Sequence, residues 1–161
     1  MNAQDVAAAA EAFLSGLASF DGRLKARDVV LNRDAGRFSD IFRDTVPSRS
    51  GVYWFFLPNG AVFDIGRSDG IWGRILLKAG VAFWKGDPSV AHEGTVGDGW
   101  GFPNSHHRSG RTVGDAISKG EFHVGWIAVE PTYVAYLVEV YLQTLCQAAD
   151  GKLPEFCLRI G

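Results

Sequence analysis

Gly51-Val52-Tyr53-Trp54-Phe55-Phe56-Leu57-Pro58-Asn59-Gly60-Ala61-Val62-Phe63-Asp64-Ile65-Gly66 is the stretch on which the reading of this chain turns. Two short apolar runs, rich in aromatic and β-branched residues, flank Pro58-Asn59-Gly60, and that punctuation predicts a β-hairpin. A cation, Arg67, follows the second run at once, and Arg74 lies one short segment further on. Asp64 places a carboxylate inside an otherwise apolar strand, where a buried charge needs a partner.

Beyond the hairpin, Asp69 to Ala79 reads as the start of a helix, with Ile71, Trp72, Ile75 and Leu76 on one side. Residues 80–120 hold nine of the 20 glycines and three of the four histidines and show little periodicity, as a surface insertion with functional loops would. Glu121 to Val129 reads as a strand. Pro131-Thr132 opens a helix through about Ala149, with Val134, Leu137, Val138, Tyr141, Leu142 and Leu145 as its expected buried stripe and Gly151 as its stop. Phe156 to Ile160 reads as a further short strand.

On the N-terminal side, residues 4–19 carry Val6, Ala9, Ala10, Phe13, Leu14 and Leu17 at helical spacing. Val29-Val30-Leu31 fits a strand or part of a helix, and Phe38, Ile41 and Phe42 suggest a short helix before Pro47. Residues 1–45 carry six basic and seven acidic side chains, so they offer no cationic surface. The division expected is an N-terminal helical extension over 1–45, packed on a core domain over 46–161.

With 161 residues, 47% of them hydrophobic and 21% charged, the chain has enough apolar material for one sizeable core. The net charge of −2 argues against a nucleic-acid coat protein, yet leaves room for an enzyme with a local cationic patch. Cys146 and Cys157 are too few for a disulfide scaffold and lack zinc-ligand spacing. No apolar run approaches the roughly 20 residues that span a bilayer, and the N-terminus reads as a helix start rather than a signal peptide. A reduced, cytoplasmic protein with no membrane association is expected.

In their order and spacing these segments resemble the GIY-YIG nuclease family, over about residues 47–158. Gly51-Val52-Tyr53 stands at the family's first motif, preceded by Val46-Pro47 and Ser50, and ten residues separate Tyr53 from Asp64. Asp64-Ile65-Gly66 stands at the second motif, with aspartate where the family has tyrosine. Arg67 matches the Lys or Arg that follows it, Arg74 the phosphate-binding arginine, and Glu139 the metal-binding glutamate. The family's asparagine after the glutamate helix has no counterpart, and Lys152-Leu153-Pro154-Glu155-Phe156 stands in its place.

The resemblance implies an α+β fold: a central three-stranded, mainly antiparallel sheet flanked by helices. It also implies a divalent-metal-dependent endonuclease acting on DNA with Mg2+ or Mn2+. Tyr53 would be the general base or water-orienting group, Arg74 the phosphate clamp, Asp64 an altered member of the catalytic set, and Glu139 the metal ligand. Arg67 would help to bind substrate. A second candidate element is the loop Asn104 to Arg111, whose His106, His107, Arg108 and Arg111 combine charge and proton donors suited to a phosphate.

Each residue also has a plainer reading. Tyr53 fits ordinary strand packing, Arg67 and Arg74 fit surface cations, Glu139 fits an exposed helix stripe, and the histidine loop fits a hydrated polar loop. The alternative at the level of function is a catalytically inactive domain of the same fold that binds nucleic acid or another partner.

Overall fold

The computed structural model describes residues 1–20, 24, 26–33, 46–71, 74, 123–154, 157 and 160. Their architecture is α+β. Helix α1 (Ala3–Phe20) is followed by strands β1 (Arg27–Asn32), β2 (Gly51–Phe56), β3 (Val62–Ser68) and β4 (His123–Glu130), and then by helix α2 (Thr132–Asp150). The sheet order is β1-β4-β2-β3, and every neighbouring pair is antiparallel. Among the described residues the sheet therefore has four strands rather than three. Val29-Val30-Leu31 belongs to β1, which adds to the edge of β4.

The hairpin turn follows from its residues. Gly60 N–H donates to the Leu57 carbonyl at 2.7 Å, with Pro58 and Asn59 between, and Gly60 takes a left-handed φ of 87°. Proline at the second turn position and a left-handed glycine at the fourth make a turn with a glycine bulge, which suits a short hairpin loop. Asn59 Oδ1 accepts from Ala61 N–H at 3.0 Å and closes the loop.

Helix α1 starts with a reciprocal cap. Asn2 Oδ1 accepts from Asp5 N–H at 2.9 Å while Asp5 Oδ2 accepts from Asn2 N–H at 3.3 Å. Its buried face is Ala3, Val6, Ala7, Ala10, Leu14 and Leu17, and its small residues allow close approach to the sheet. Phe13 stacks on Tyr141 of α2 with ring centroids 4.4 Å apart. Both helices share one core cluster with Val52, Trp54, Phe56, Ile65, Ile127 and Val129.

The buried face of α2 is Val134, Ala135, Val138, Glu139, Leu142, Gln143 and Cys146, and Gly151 ends the helix with a left-handed φ of 70°. Leu137, expected inside, is 38% exposed, whereas the carboxylate of Glu139 is buried. Apolar content alone misplaces this stripe by a fraction of a turn, because the face of α2 is chosen by polar contacts with β3 that are described below. Cys146 and Cys157 are both free thiols. Among the described residues, no helix is long and apolar enough to cross a membrane. The short helix expected around Phe38, Ile41 and Phe42, most of the one after Asp69, the insertion at 80–120 and part of the strand at 156–160 lie outside the described residues.

Candidate active site

Strand register sets the two sides of the site. Tyr53 lies opposite Gly66 on β3 and Trp126 on β4, and Phe55 lies opposite Asp64 and Val124. Side chains alternate along a strand. Tyr53, Asp64 and Gly66 therefore share one face, and Val52, Ile65 and Arg67 share the other, where α2 packs.

The missing side chain of Gly66 joins these two sides. A Cβ built there would lie 2.5 Å from Tyr53 Oη and 2.8 Å from Cζ, so the Tyr53 ring leans across Gly66 and carries its hydroxyl onto β3. Among the described residues β3 is the last strand of the sheet, and groups from both faces meet around it. The outward backbone groups of Ile65 are met by side chains: Gln143 Nε2 donates to the Ile65 carbonyl at 3.0 Å, and Cys157 Sγ lies 3.3 Å from the same oxygen. Ile65 N–H points at Cys157 Sγ at 3.4 Å. These contacts satisfy edge groups that would otherwise be open to pairing with another chain.

Glu139 stands one helical turn before Gln143 and faces Arg67. Arg67 Nε is 3.3 Å from Glu139 Oε2, and Arg67 Nη1 is 3.9 Å from Asp69 Oδ1. The guanidinium also lies over the Tyr136 ring, with Cζ 3.2 Å from its centroid. Arg67 is thus turned inward, onto α2.

The Arg74 backbone is tied to Gly70, just beyond β3. Ser68 Oγ bonds Gly70 N–H at 3.1 Å and the Gly70 carbonyl at 3.0 Å, and Arg74 N–H donates to that same carbonyl at 3.2 Å. Ile71 N–H donates to the Arg49 carbonyl at 3.0 Å and anchors the turn to the segment before β2.

The charges converge on Tyr53. Burial raises its pKa well above the ordinary phenol value, and the negative charge of Asp64 adds most to that effect. Arg74 acts in the opposite direction, while Glu139 and Cys157 add smaller upward pushes. Asp64, Arg74, Glu139 and Cys157 therefore all lie within electrostatic reach of one phenol, which keeps its proton at neutral pH. Tyr53 and Asp64 are each only 2% exposed.

Tyr53, Asp64, Arg67, Arg74 and Glu139 are thus grouped around the edge strand rather than on one face of the sheet. His106, His107, Arg108 and Arg111 lie outside the described residues. Cys157 and Gln143 belong to the group and were not read from the sequence. Gln143 carried a signal, since it sits one turn beyond Glu139, but Cys157 carried none. Its Sγ lies 4.0 Å from Asp64 Oδ1 only because the chain folds back after α2. Among the described residues, no group of three or more His, Cys, Asp or Glu side chains is gathered to hold a metal ion. No family model, curated protein or solved structure matches the chain.

Proposed function

We propose that this chain is a divalent-metal-dependent endonuclease that hydrolyses phosphodiester bonds in DNA. The observation that supports the reading is that Tyr53, its hydroxyl carried across Gly66, is buried with Asp64 on one face of the hairpin, within electrostatic reach of Asp64, Arg74 and Glu139. These residues come from three separate elements, and ordinary strand packing of an aromatic residue requires none of them.

The roles follow from charge and protonation. Tyr53 Oη retains its proton, so it orients the attacking water by hydrogen bonding rather than by acting as a phenolate base. Asp64, the acidic group that acts most strongly on that hydroxyl, is the proton acceptor. This gives the aspartate a role that the family's tyrosine does not need. Arg74 offsets the negative charge that gathers on the phosphate as the water adds.

Among the described residues a divalent ion would have one carboxylate, Glu139, rather than a gathered set of ligands. Glu139 is a buried carboxylate that already holds a cation, Arg67, and Mg2+ is commonly bound through one or two carboxylates with waters and substrate phosphates completing the shell. Bound at Glu139, Mg2+ or Mn2+ would withdraw charge from the phosphate and the leaving oxygen.

The contact between Arg67 and Glu139 favours a second reading, a catalytically inactive domain of the same fold that binds nucleic acid or another partner. Incubation of plasmid and single-stranded DNA with Mg2+ or Mn2+ separates the two. Metal-dependent nicking that disappears in Glu139→Ala supports the nuclease. Binding without cleavage, in both proteins and on both substrates, supports the binding domain.

A further inference from the structure

The outer face of α2 carries no charge. From Thr132 to Ala149 the one charged side chain is Glu139, and it is buried. A helix face turned to water normally holds the charged residues of its sequence, whereas a helix that is apolar all round is covered on every side. The outer residues are also regularly spaced. Tyr133, Leu137, Val140 and Thr144 are exposed and follow one another at intervals of four, three and four, and Gln147 continues the series three residues later. That alternation is the seam of a helix that runs along a second helix at a shallow angle. Leu137 and Val140, at its centre, are 38% and 40% exposed. Helix α1 offers no matching seam, since its outer face holds Gln4, Asp5, Glu11 and Ser15.

We propose that α2 pairs with α2 of a second copy of this chain, antiparallel across a two-fold axis. A two-fold interface needs a surface that complements itself, and this seam does so in charge and in size. With no charge on either side, two copies meet without repulsion, whereas a charged partner such as DNA finds nothing on this face to pair with. The large residues of the seam lie in its N-terminal half and the small polar Thr144 in its C-terminal half, so the antiparallel direction is the one that sets large on small. With Leu137 of each copy against Val140 of the other, Tyr133 falls on Thr144 at both ends.

A helix of this length is about 28 Å long, so the paired surface is small, at the low end of specific interfaces, and dilute protein is monomeric. The axis also puts the Arg67–Glu139 contacts of the two copies on the same side of the helix pair, because each flanks the seam beside Tyr136. No catalysis enters into the pairing, which stands or falls apart from the nuclease reading.

Sedimentation velocity of the full chain, from low micromolar to several hundred micromolar protein, reads the association. The wild type should pass from monomer to dimer with rising concentration. Val140→Glu and Leu137→Lys, each placing a charge at the centre of the seam, should each weaken association by at least about tenfold. Thermal melting at the dilute end should match the wild type, because both sites are exposed in the monomer. An equimolar mixture of the two variants should regain the dimer, since the new carboxylate and the new ammonium then face each other. A wild type that is monomeric at every concentration overturns the proposal, and a lowered melt of Val140→Glu in that case shows that the face is covered from within the same chain. A dimer that neither variant weakens, or a mixture that stays monomeric, overturns it as well.

Discussion

Replacing Gly66 by alanine tests the placement of Tyr53 without altering any charged or nucleophilic group. The new Cβ would meet Tyr53 Oη at 2.5 Å and Cζ at 2.8 Å, against 3.4–4 Å for ordinary contact. The ring must therefore retreat by roughly 1 Å to restore a normal separation. Tyr53 is buried and packs edge-on against Phe55 with centroids 5.7 Å apart, so the retreat disturbs its neighbours. Overpacking of this kind costs about 1–3 kcal/mol. Alanine returns about 0.4–1 kcal/mol by restricting the unfolded chain, because Gly66 is not a left-handed position. A net loss of about 1–2 kcal/mol is expected in urea denaturation. In a Tyr53→Phe background the closest clash is gone and the Cζ contact remains, so the cost should fall without vanishing. An equal cost in both backgrounds, or a stabilised Gly66→Ala protein, would refute the position assigned to the ring. In the cleavage assay, a displacement of this size is expected to slow the reaction by up to about 100-fold.

Four other outcomes are expected. The raised pKa of Tyr53 means that the folded protein favours the protonated phenol, so its stabilising contribution is complete below about pH 10 and is lost as pH rises toward the folded-state value. Ultraviolet titration of the wild type minus Tyr53→Phe should accordingly show a phenol that ionises above the ordinary range or only on alkaline unfolding, and a normal titration would remove the buried phenol from the account. Burial pushes the Cys146 thiol up to about 11, so mass spectrometry should find it unalkylated by iodoacetamide in the native protein at pH 8 and alkylated after unfolding. Leu142→Ala, at a fully buried site on α2, should cost about 2–5 kcal/mol in the same denaturation assay, whereas Leu137→Ala on the exposed side should stay within about 0.5 kcal/mol. Gly51→Ala would put a Cβ 2.2 Å from the Ile127 carbonyl oxygen, a backbone atom that cannot swing away, and should abolish folding, as read by circular dichroism.

The sequence was most legible where local chemistry settles the conformation. Pro58, Asn59 and Gly60 dictate the hairpin turn, short apolar runs rich in aromatic and β-branched residues mark β2 and β4, and Pro131 and Gly151 bracket α2. It was least legible where long-range contacts decide. The residues of β1 are mostly exposed and show no buried alternation, so the strand is defined by its pairing with β4 and not by its own pattern. Leu137 is more apolar than Glu139, yet Glu139 faces inward because Arg67 and the open edge of β3 require polar partners at that face of α2.

The site shows the same division. Tyr53, Asp64, Arg74 and Glu139 are candidates in the sequence only through the family resemblance, whereas the inward turn of Arg67 and the arrival of Cys157 beside Asp64 depend on the fold. In the folded chain Asp64 places a carboxylate within electrostatic reach of the Tyr53 phenol, which keeps its proton at neutral pH.

The nuclease reading is tested most directly by single-turnover cleavage of end-labelled duplex and single-stranded DNA with Mn2+, comparing the wild type with Glu139→Gln. Both proteins must first show matching thermal melts. Metal-dependent strand scission by the wild type, slowed about 100-fold or more in Glu139→Gln, is the expected result. Equal rates in the two proteins, or no scission by the wild type, would contradict a catalytic role for the residues gathered around Tyr53.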